Sequence, residues 1–357
     1  MNDIRRTILW VIFGFSIVLL WDQWQAFNGH KATFFPSSTQ AAKAPAAGSA
    51  PGTSAAAVPN PGTIPGSPAA VPAGAPSTAS LAAKERVVVD TDVLSLTFDS
   101  EGGTLVHTAF KKYKDMTDKE KGFVLLDEST NRVYVAQSGL VAGSTGGAFP
   151  THKTLMTLLP GARALTDGQN ELQVKFESAD IGGVKLVKTY TIKRGAYDMA
   201  VQHEIINTGS TPVSPQLYLQ LVRDGNKPPG ESSFYSTFTG PAIYTEAQKY
   251  QKVEFKTIES NKVDVEKQAT NGYVAMVQHY FASAWILPDG LKRDLFLRKV
   301  DTNLYAVGMI TPWDSIAPGA TKTIDAKFFV GPQEEKVLEA LAPGLELVKD
   351  YGWLTIL

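Results

Sequence analysis

Hydrophobic side chains follow two patterns along this chain: one continuous apolar run near the N-terminus, and many short alternating runs after residue 86. The continuous run extends from Thr7 to Trp21, fifteen residues without a formal charge. As a helix it would be about 22 Å long at about 1.5 Å per residue, somewhat less than the roughly 30 Å hydrocarbon core of a bilayer. The run therefore predicts a transmembrane helix within residues 1–25.

The residues that flank this run predict how the helix would sit in the bilayer. Arg5 and Arg6 precede it, and Trp10, Trp21 and Trp24 can lie at the level of the headgroups. Basic residues before the first span favour a cytoplasmic N-terminus, with everything after residue 24 on the other side of the membrane.

A cleaved signal peptide is the competing interpretation of the same run, because it also combines a basic start with an apolar centre. It requires small residues at the cleavage site, whereas the sequence here continues Asp22-Gln23-Trp24-Gln25-Ala26-Phe27. We therefore expect an uncleaved anchor. Residues 26–85, rich in Ala, Pro, Gly and Ser, predict a disordered linker, because they offer little apolar surface to offset the entropy of ordering.

Alternating hydrophobic positions dominate the chain from residue 86 onward. Leu94, Leu96 and Phe98 alternate with polar residues, the period of a strand with one buried face. Many such runs, separated by turn residues, predict an all-β domain over residues 86–331, a large β-sandwich. The strand-like runs are 94–98, 123–126, 133–135, 172–176, 184–192, 197–205, 217–222, 253–258, 273–280, 284–287, 295–297, 304–310 and 322–330.

One stretch, residues 332–343, has helical periodicity instead. Pro332 suits the first position of a helix, and Val337, Leu338 and Leu341 would share one face. We expect this short amphipathic helix to dock on the sandwich or to lie at the membrane surface. Residues 344–357 become apolar toward Leu357, and we expect them to begin a second transmembrane segment.

Composition excludes several kinds of chemistry. The chain has 34 basic and 35 acidic residues, so no basic excess attracts nucleic acid. It has no cysteine, which excludes disulfides, thiolate metal sites and cysteine nucleophiles. The sequence contains no zinc-binding or phosphate-binding motif, so we expect no metal, no cofactor and no catalytic residues. His203 and His279 lie in apolar runs and are predicted to be hydrogen-bonded core histidines.

Four stretches together resemble the YidC membrane protein insertases of Gram-negative bacteria. Two of them are the Trp-rich border of the anchor at 20–24 and the run KTYTIKRGAY at 188–197, followed by Asn207. The other two are more specific: GYVAMVQHYFASAW at 272–285, and FVGPQ at 329–333 with LELVKDYGW at 345–353.

The resemblance implies a galactose-mutarotase-like β-supersandwich in the periplasm, attached to the bacterial inner membrane. It implies a non-enzymatic insertase and chaperone for nascent inner-membrane proteins, working alone or with the Sec translocon and its SecDF subunits. In that family the insertase groove belongs to a later bundle of five transmembrane helices, so no groove residue is assigned to this sequence.

Two other functions remain open at this stage. One is a periplasmic carbohydrate-binding or mutarotase-like module, which would require His107, His203 or His279 to lie with a carboxylate in one exposed cleft. The other is a docking surface for a second membrane complex through an exposed edge strand. The sequence does not tell which strand this is, and crosslinking along residues 217–258 would locate it or exclude that region.

Overall fold

The computed structural model describes residues 84–143, 146–228 and 237–349. The predicted anchor with Arg5, Arg6, Trp10, Trp21 and Trp24, the linker up to residue 83, and residues 350–357 lie outside the described residues. Within the described part of the chain, no helix is both long and apolar enough to cross a bilayer.

The described residues form β-strands almost throughout, which confirms the predicted all-β class. In chain order they are β1 (Arg86–Asp90), β2 (Leu94–Asp99), β3 (Thr104–Lys114), β4 (Gly122–Val124), β5 (Asp127–Glu128), β6 (Val133–Ala142), β7 (Met156–Leu158), β8 (Glu171–Ser178), β9 (Val184–Lys193), β10 (Asp198–Asn207), β11 (Pro215–Asp224), β12 (Thr239–Thr245), β13 (Lys249–Lys252), β14 (Gln268–Ala269), β15 (Tyr273–Gln278), β16 (Phe281–Ile286), β17 (Arg293–Asp301), β18 (Leu304–Thr311) and β19 (Thr321–Pro332).

The strands form two antiparallel sheets. The ten-stranded sheet has the order β1-β2-β3-β6-β11-β18-β17-β14, with β4 paired to β3 and β5 paired to β6. The nine-stranded sheet has the order β13-β12-β15-β16-β19-β10-β9-β8-β7. Strand β19, the last in sequence, lies near the middle of the second sheet, between β16 and β10.

The inner faces of the two sheets form one apolar core, because the longer strands bury the side chains that point between the sheets. In β10, Met199, Val201, His203 and Ile205 are buried, whereas Ala200, Gln202 and Glu204 between them reach solvent. Hydrogen bonds also join the sheets through this core. Trp285 Nε1 of β16 donates to the carbonyl of Gln220 in β11 at 3.1 Å.

The structure corrects two of the predicted elements. The run 253–258 contains a short helix, α1 (Phe255–Glu259), instead of a strand. Its apolar residues Phe255 and Ile258 are three positions apart. This spacing places them on one face of a helix, whereas in a strand they would point to opposite faces. Pro332 does not begin the C-terminal helix but is the last residue of β19. Proline has no amide hydrogen to donate, and this loss is tolerated at the end of a strand, where the pairing stops.

The helix near the C-terminus is α2 (Glu335–Leu341), and a 3-10 turn, Leu345–Val348, follows it. Residues 333–349, which contain both elements, are called the C-terminal segment below. Leu345 and Val348 are fully buried, so the part of the predicted second membrane segment that is described packs against the sandwich.

Candidate docking face of the C-terminal segment

The nine-stranded sheet has an apolar patch on its outer face. Trp285 and Phe328 point inward, where their rings contact each other, so their chain neighbours Ala284 and Phe329 point outward. Both of these outward residues are nevertheless fully buried. The other outward and buried residues of the patch are Ala242, Tyr244, Tyr273, Ala275, Val277, Ala282, Ile286 and Gly331. Half of them are alanine or glycine, so a covering element can approach the backbone closely.

The C-terminal segment supplies the side chains that cover this patch. Leu338, Leu345 and Val348 are fully buried, and Val337 and Leu341 are partly buried against the same core. Burying each large aliphatic side chain stabilises the contact by about 1.5–3 kcal/mol. The three residues expected on one helix face therefore all contact the sandwich.

Hydrogen bonds fix the position of the segment at its start and near its middle. Where it begins, Tyr113 donates its hydroxyl hydrogen to Glu334 Oε1 at 2.7 Å, and the Gln333 amide donates to the carbonyl of Tyr280 at 2.8 Å. Near its middle, the Tyr273 hydroxyl donates to the carbonyl of Gly344 at 2.6 Å. Burial and the Glu334 carboxylate raise the pKa of Tyr113, so the phenol stays a donor at any ordinary pH.

Gly344 allows the chain to turn back over the sheet. Its φ is 76°, a left-handed conformation that glycine adopts without strain. A Cβ atom at this position would lie 2.2 Å from a ring carbon of Tyr244. A larger residue would therefore push the segment away from the patch.

A cleft of about 370 Å³ lies beside the end of α2. Ile286, Leu287 and Leu341 contribute its apolar walls, and Asp289 and Asp325 add carboxylates. None of the lining residues is a histidine, so the cleft does not provide the histidine–carboxylate pair of a mutarotase-like site.

Lys188 was missed as a notable residue by sequence reasoning. It is fully buried in the core, where its Nζ donates to the carbonyls of Gly102 and Ser138, each at 2.6 Å. Burial lowers the pKa of Lys188 to about 7. The signal was available, because Lys188 occupies the inward parity between Leu186 and Tyr190.

Two buried histidines lie near this lysine and are neutral. His203 is fully buried and its Nε2 lies 2.9 Å from Ser138 Oγ, which confirms the prediction of a core histidine. Burial, reinforced by the Lys188 charge, lowers the pKa of His203 to about 3. His152 contacts the Tyr218 hydroxyl through both its ring and its backbone amide, and burial lowers its pKa to about 3 as well.

The other two histidines of the described residues, His107 and His279, are partly exposed. His279 is only partly buried, contrary to expectation, because it occupies a two-residue hairpin turn with φ of 52°, and its Nδ1 lies 2.9 Å from Thr237 Oγ1. His107 Nδ1 lies 3.1 Å from Asp127 Oδ1, and both side chains are partly exposed. His107 and Asp127 are in direct contact, whereas a mutarotase-like site would hold its histidine and carboxylate on opposite sides of an open groove. Over residues 84–143, 146–228 and 237–349, no three potential ligands gather to hold a metal ion.

These features define a class of protein: a large antiparallel two-sheet sandwich whose outer face is covered by the chain segment that follows its last strand. The profile of the YidC periplasmic domain matches residues 86–357. The chain belongs to the YidC family.

Curated relatives resemble nearly the whole chain. Proteins named membrane protein insertase YidC are 46% identical in Janthinobacterium sp. (strain Marseille) and 48% identical in Cupriavidus necator, each over 99% of this chain and 62% of the relative. The Bordetella parapertussis protein of the same name is 50% identical, over 99% of this chain and 63% of the relative. The chain thus spans a little over 60% of the length of these relatives.

Solved structures of mutarotase-like proteins align with the sandwich at low identity. A galactose mutarotase related enzyme from Lactobacillus acidophilus has a TM-score of 0.44 and 7% identity, covering 69% of this chain and 97% of that chain. A galactose mutarotase-like protein from Lactobacillus casei has a TM-score of 0.44 and 8% identity, covering 69% and 100%. At these scores the alignments carry no argument about ligand or activity.

Proposed function

We propose that this chain is the anchored periplasmic part of a membrane protein insertase and chaperone. The protein would assist the insertion, folding and assembly of inner-membrane proteins, alone or with the Sec translocon. The observation that carries the proposal is the likeness to proteins named membrane protein insertase YidC over 99% of the chain. Anchor residues 1–25 would leave the N-terminus in the cytoplasm and residues 86–331 in the periplasm.

The proposed activity makes or breaks no covalent bond. Charged loops of a client protein are costly to transfer into lipid, and a polar groove within membrane helices lowers that cost. The sandwich would support this process from the periplasmic side. Its partners would be nascent inner-membrane proteins, the bilayer and the Sec translocon with SecDF.

The C-terminal segment would be the mechanical connection between the sandwich and the membrane-embedded part. Its buried residues Leu338, Leu345 and Val348 hold it on the outer face of the nine-stranded sheet. The apolar residues at 351–357 follow directly in the sequence. A firm attachment at residues 333–349 would therefore fix the orientation of the sandwich relative to whatever follows.

The substitution Leu338→Asp tests this role. A carboxylate at a fully buried position is costly unless it is paired, so α2 should leave the patch. We expect a severalfold loss of client insertion by the full-length protein in reconstituted vesicles. Ala340→Asp is the matched control, because it adds the same charge to an exposed position of the same helix and should keep activity.

The control measurement is protease cleavage around residues 333–349, which reports whether the segment has detached. Detachment with unchanged insertion would show that the segment has no connecting role. Equal loss of insertion in Leu338→Asp and Ala340→Asp would assign the effect to charge alone.

A second membrane complex would dock by strand addition at β13. Within residues 217–258, β11 and β12 each have a neighbour on both sides, whereas β13 is the terminal strand of its sheet. A photocrosslinker at Gln251 in β13 should capture the Sec partner, and one at Gln202 in the central strand β10 should not. Equal capture at both positions would count against docking at this edge.

A further inference from the structure

Three parts of the chain meet at one end of the sandwich, around the turn between β15 and β16. The Gln333 amide donates to the carbonyl of Tyr280 in that turn at 2.8 Å. Tyr113, near the end of β3, donates to Glu334 at 2.7 Å. The hairpin of β3 and β4 therefore lies beside the turn and beside the start of the C-terminal segment. We call the turn 279–280, the hairpin tip 112–121 and residues 333–334 the aromatic rim.

A cluster of rings makes this rim rigid. The Phe123 and Phe281 rings stack with centroids 4.1 Å apart, and Phe110 lies 4.9 Å from Phe281. Tyr113 meets Phe281 edge-on at 5.4 Å, and Tyr197 lies 5.8 Å from Phe110. Side chains that project from the rim are therefore held on a firm base.

Two of the largest exposed apolar side chains project from the rim. Tyr280 is 65% exposed and Met116, at the tip of the hairpin, is 49% exposed. Tyrosine is enriched where proteins meet the headgroup level of a membrane, since its ring is apolar and its hydroxyl is polar. Methionine is flexible enough to fill irregular apolar surroundings.

The hairpin also presents lysines, whereas two of its three carboxylates are engaged in contacts within the hairpin itself. Asp115 accepts the amides of Thr117 and Asp118, and Asp118 pairs with Lys121 at 3.0 Å. The third carboxylate, Glu120, is exposed. Among the described residues, no carboxylate forms an ion pair with Lys112, Lys114 or Lys119, all of which are exposed.

The chain leaves the sandwich at this same end. Lys349, the last described residue, lies with its Nζ 3.2 Å from Glu335 Oε2, at the start of α2. The residues that follow, Tyr351 to Leu357, are mostly apolar. The opposite end of the sheet, near Ser210, is about 35–40 Å away, the length of the twelve-residue strand β19 at about 3.3 Å per residue.

We propose that the aromatic rim is a lipid-contact surface that rests on anionic headgroups, with Tyr280 and Met116 entering the interface and Lys112, Lys114 and Lys119 above it. This inference rests on the proposed membrane anchoring and adds which surface of the sandwich faces the bilayer. The long lysine stems let the ammonium groups reach an anionic surface, whose attraction for a cation decays within a Debye length of roughly 10 Å. The sandwich would thus stand with its strands directed away from the membrane.

The absence of cysteine from the sequence makes the surface accessible to site-specific labelling. The whole chain is placed in nanodiscs of phosphatidylglycerol and phosphatidylcholine, with one cysteine introduced as Met116→Cys, Tyr280→Cys or Ser210→Cys. Each cysteine carries a polarity-sensitive fluorophore, and lipids with a quencher at the headgroup level report contact. We expect blue-shifted, quenched emission at positions 116 and 280, and water-like emission at position 210.

The charge contribution is tested in the Met116→Cys background by replacing Lys112, Lys114 and Lys119 with glutamate. Quenching should fall severalfold, and it should also fall in discs of phosphatidylcholine alone. The exposed Lys322→Glu, at the opposite end of β19, is the control and should leave quenching unchanged.

Emission at positions 116 and 280 that matches position 210, in chains that elute with the discs, would overturn the proposal and leave the insertase function intact. Chains that do not elute with the discs would overturn the anchor and this placement together. Quenching unaffected by the lysine substitutions would overturn the anionic-headgroup contact.

Discussion

Replacing Lys188 by methionine should change how the stability of the sandwich depends on pH. Methionine keeps a similar length without the charge, while the carbonyls of Gly102 and Ser138 lose their donor. Each buried carbonyl left unpaired costs about 1–3 kcal/mol. The variant therefore tests two effects of opposite sign, of which only the charge depends on pH.

The magnitude follows from the pKa. Burial lowers the pKa of Lys188 from 10.5 to about 7, so between these values the unfolded chain binds a proton that the folded chain has released. Stability therefore rises with pH across this window, by about 1.4 kcal/mol per pH unit and about 5 kcal/mol in total. Below pH 7 both states are protonated, and the full cost of burying the charge is present.

We expect the difference in unfolding free energy between the wild type and Lys188→Met to grow by about 5 kcal/mol from pH 7 to pH 10.5, in favour of the wild type. Urea unfolding of the chain in detergent, followed by circular dichroism at several pH values, measures it. Lys185→Met on the outer face of the same strand is the control, and its profile should remain parallel to the wild type. Parallel profiles for Lys188→Met as well would refute a desolvated lysine.

Three further predictions concern the C-terminal segment, acid stability and sugar binding. Gly344→Ala places a methyl group against Tyr244 and strains a φ of 76°, so it should lower the unfolding free energy by about 1–3 kcal/mol and speed amide hydrogen exchange in residues 333–349. Unchanged exchange would contradict the close approach of Gly344 to the Tyr244 ring. Burial lowers the pKa of His152 and His203 to about 3, whereas unfolded histidines protonate below about 6.5, so the unfolding free energy should fall as pH drops from 6.5 to 3. Replacing both histidines by glutamine should flatten that fall. An equally steep curve in the double variant would count against buried neutral imidazoles. Titration with aldohexoses should leave tryptophan fluorescence unchanged; a saturable response abolished by His107→Ala would instead support the sugar-binding alternative.

Local alternation was enough to predict the strands that have one wet face. Leu94, Leu96 and Phe98 of β2 are all buried, and the residues between Leu94 and Phe98 are partly exposed. Strands β15 and β16 could not be oriented in this way, because every residue in both is buried. What covers their outer side is a segment some fifty residues later in the chain, and hydrophobic periodicity holds no information about such a contact.

The family was recognised from the sequence, whereas the detailed positions were not. Lys188 was passed over because a lysine on an inward parity contradicts the usual burial preference, and only the carbonyls of Gly102 and Ser138, distant in sequence, make the position tolerable. Pro332 suited a helix start equally well, and the pairing of β19 with Phe281 decided for a strand end. Tertiary partners determined both cases.

The central position of β19 imposes an order on how this domain is completed. Strands β7 to β10 form one half of the nine-stranded sheet, and β12, β13, β15 and β16 form the other; β19 joins them. During synthesis the strands of both halves are made before β19, so the two half-sheets stay unjoined until residue 332 has been added. The apolar patch remains uncovered until the seventeen residues of the C-terminal segment have also been made. A delay at this stage would leave apolar surface exposed and the domain prone to misassembly.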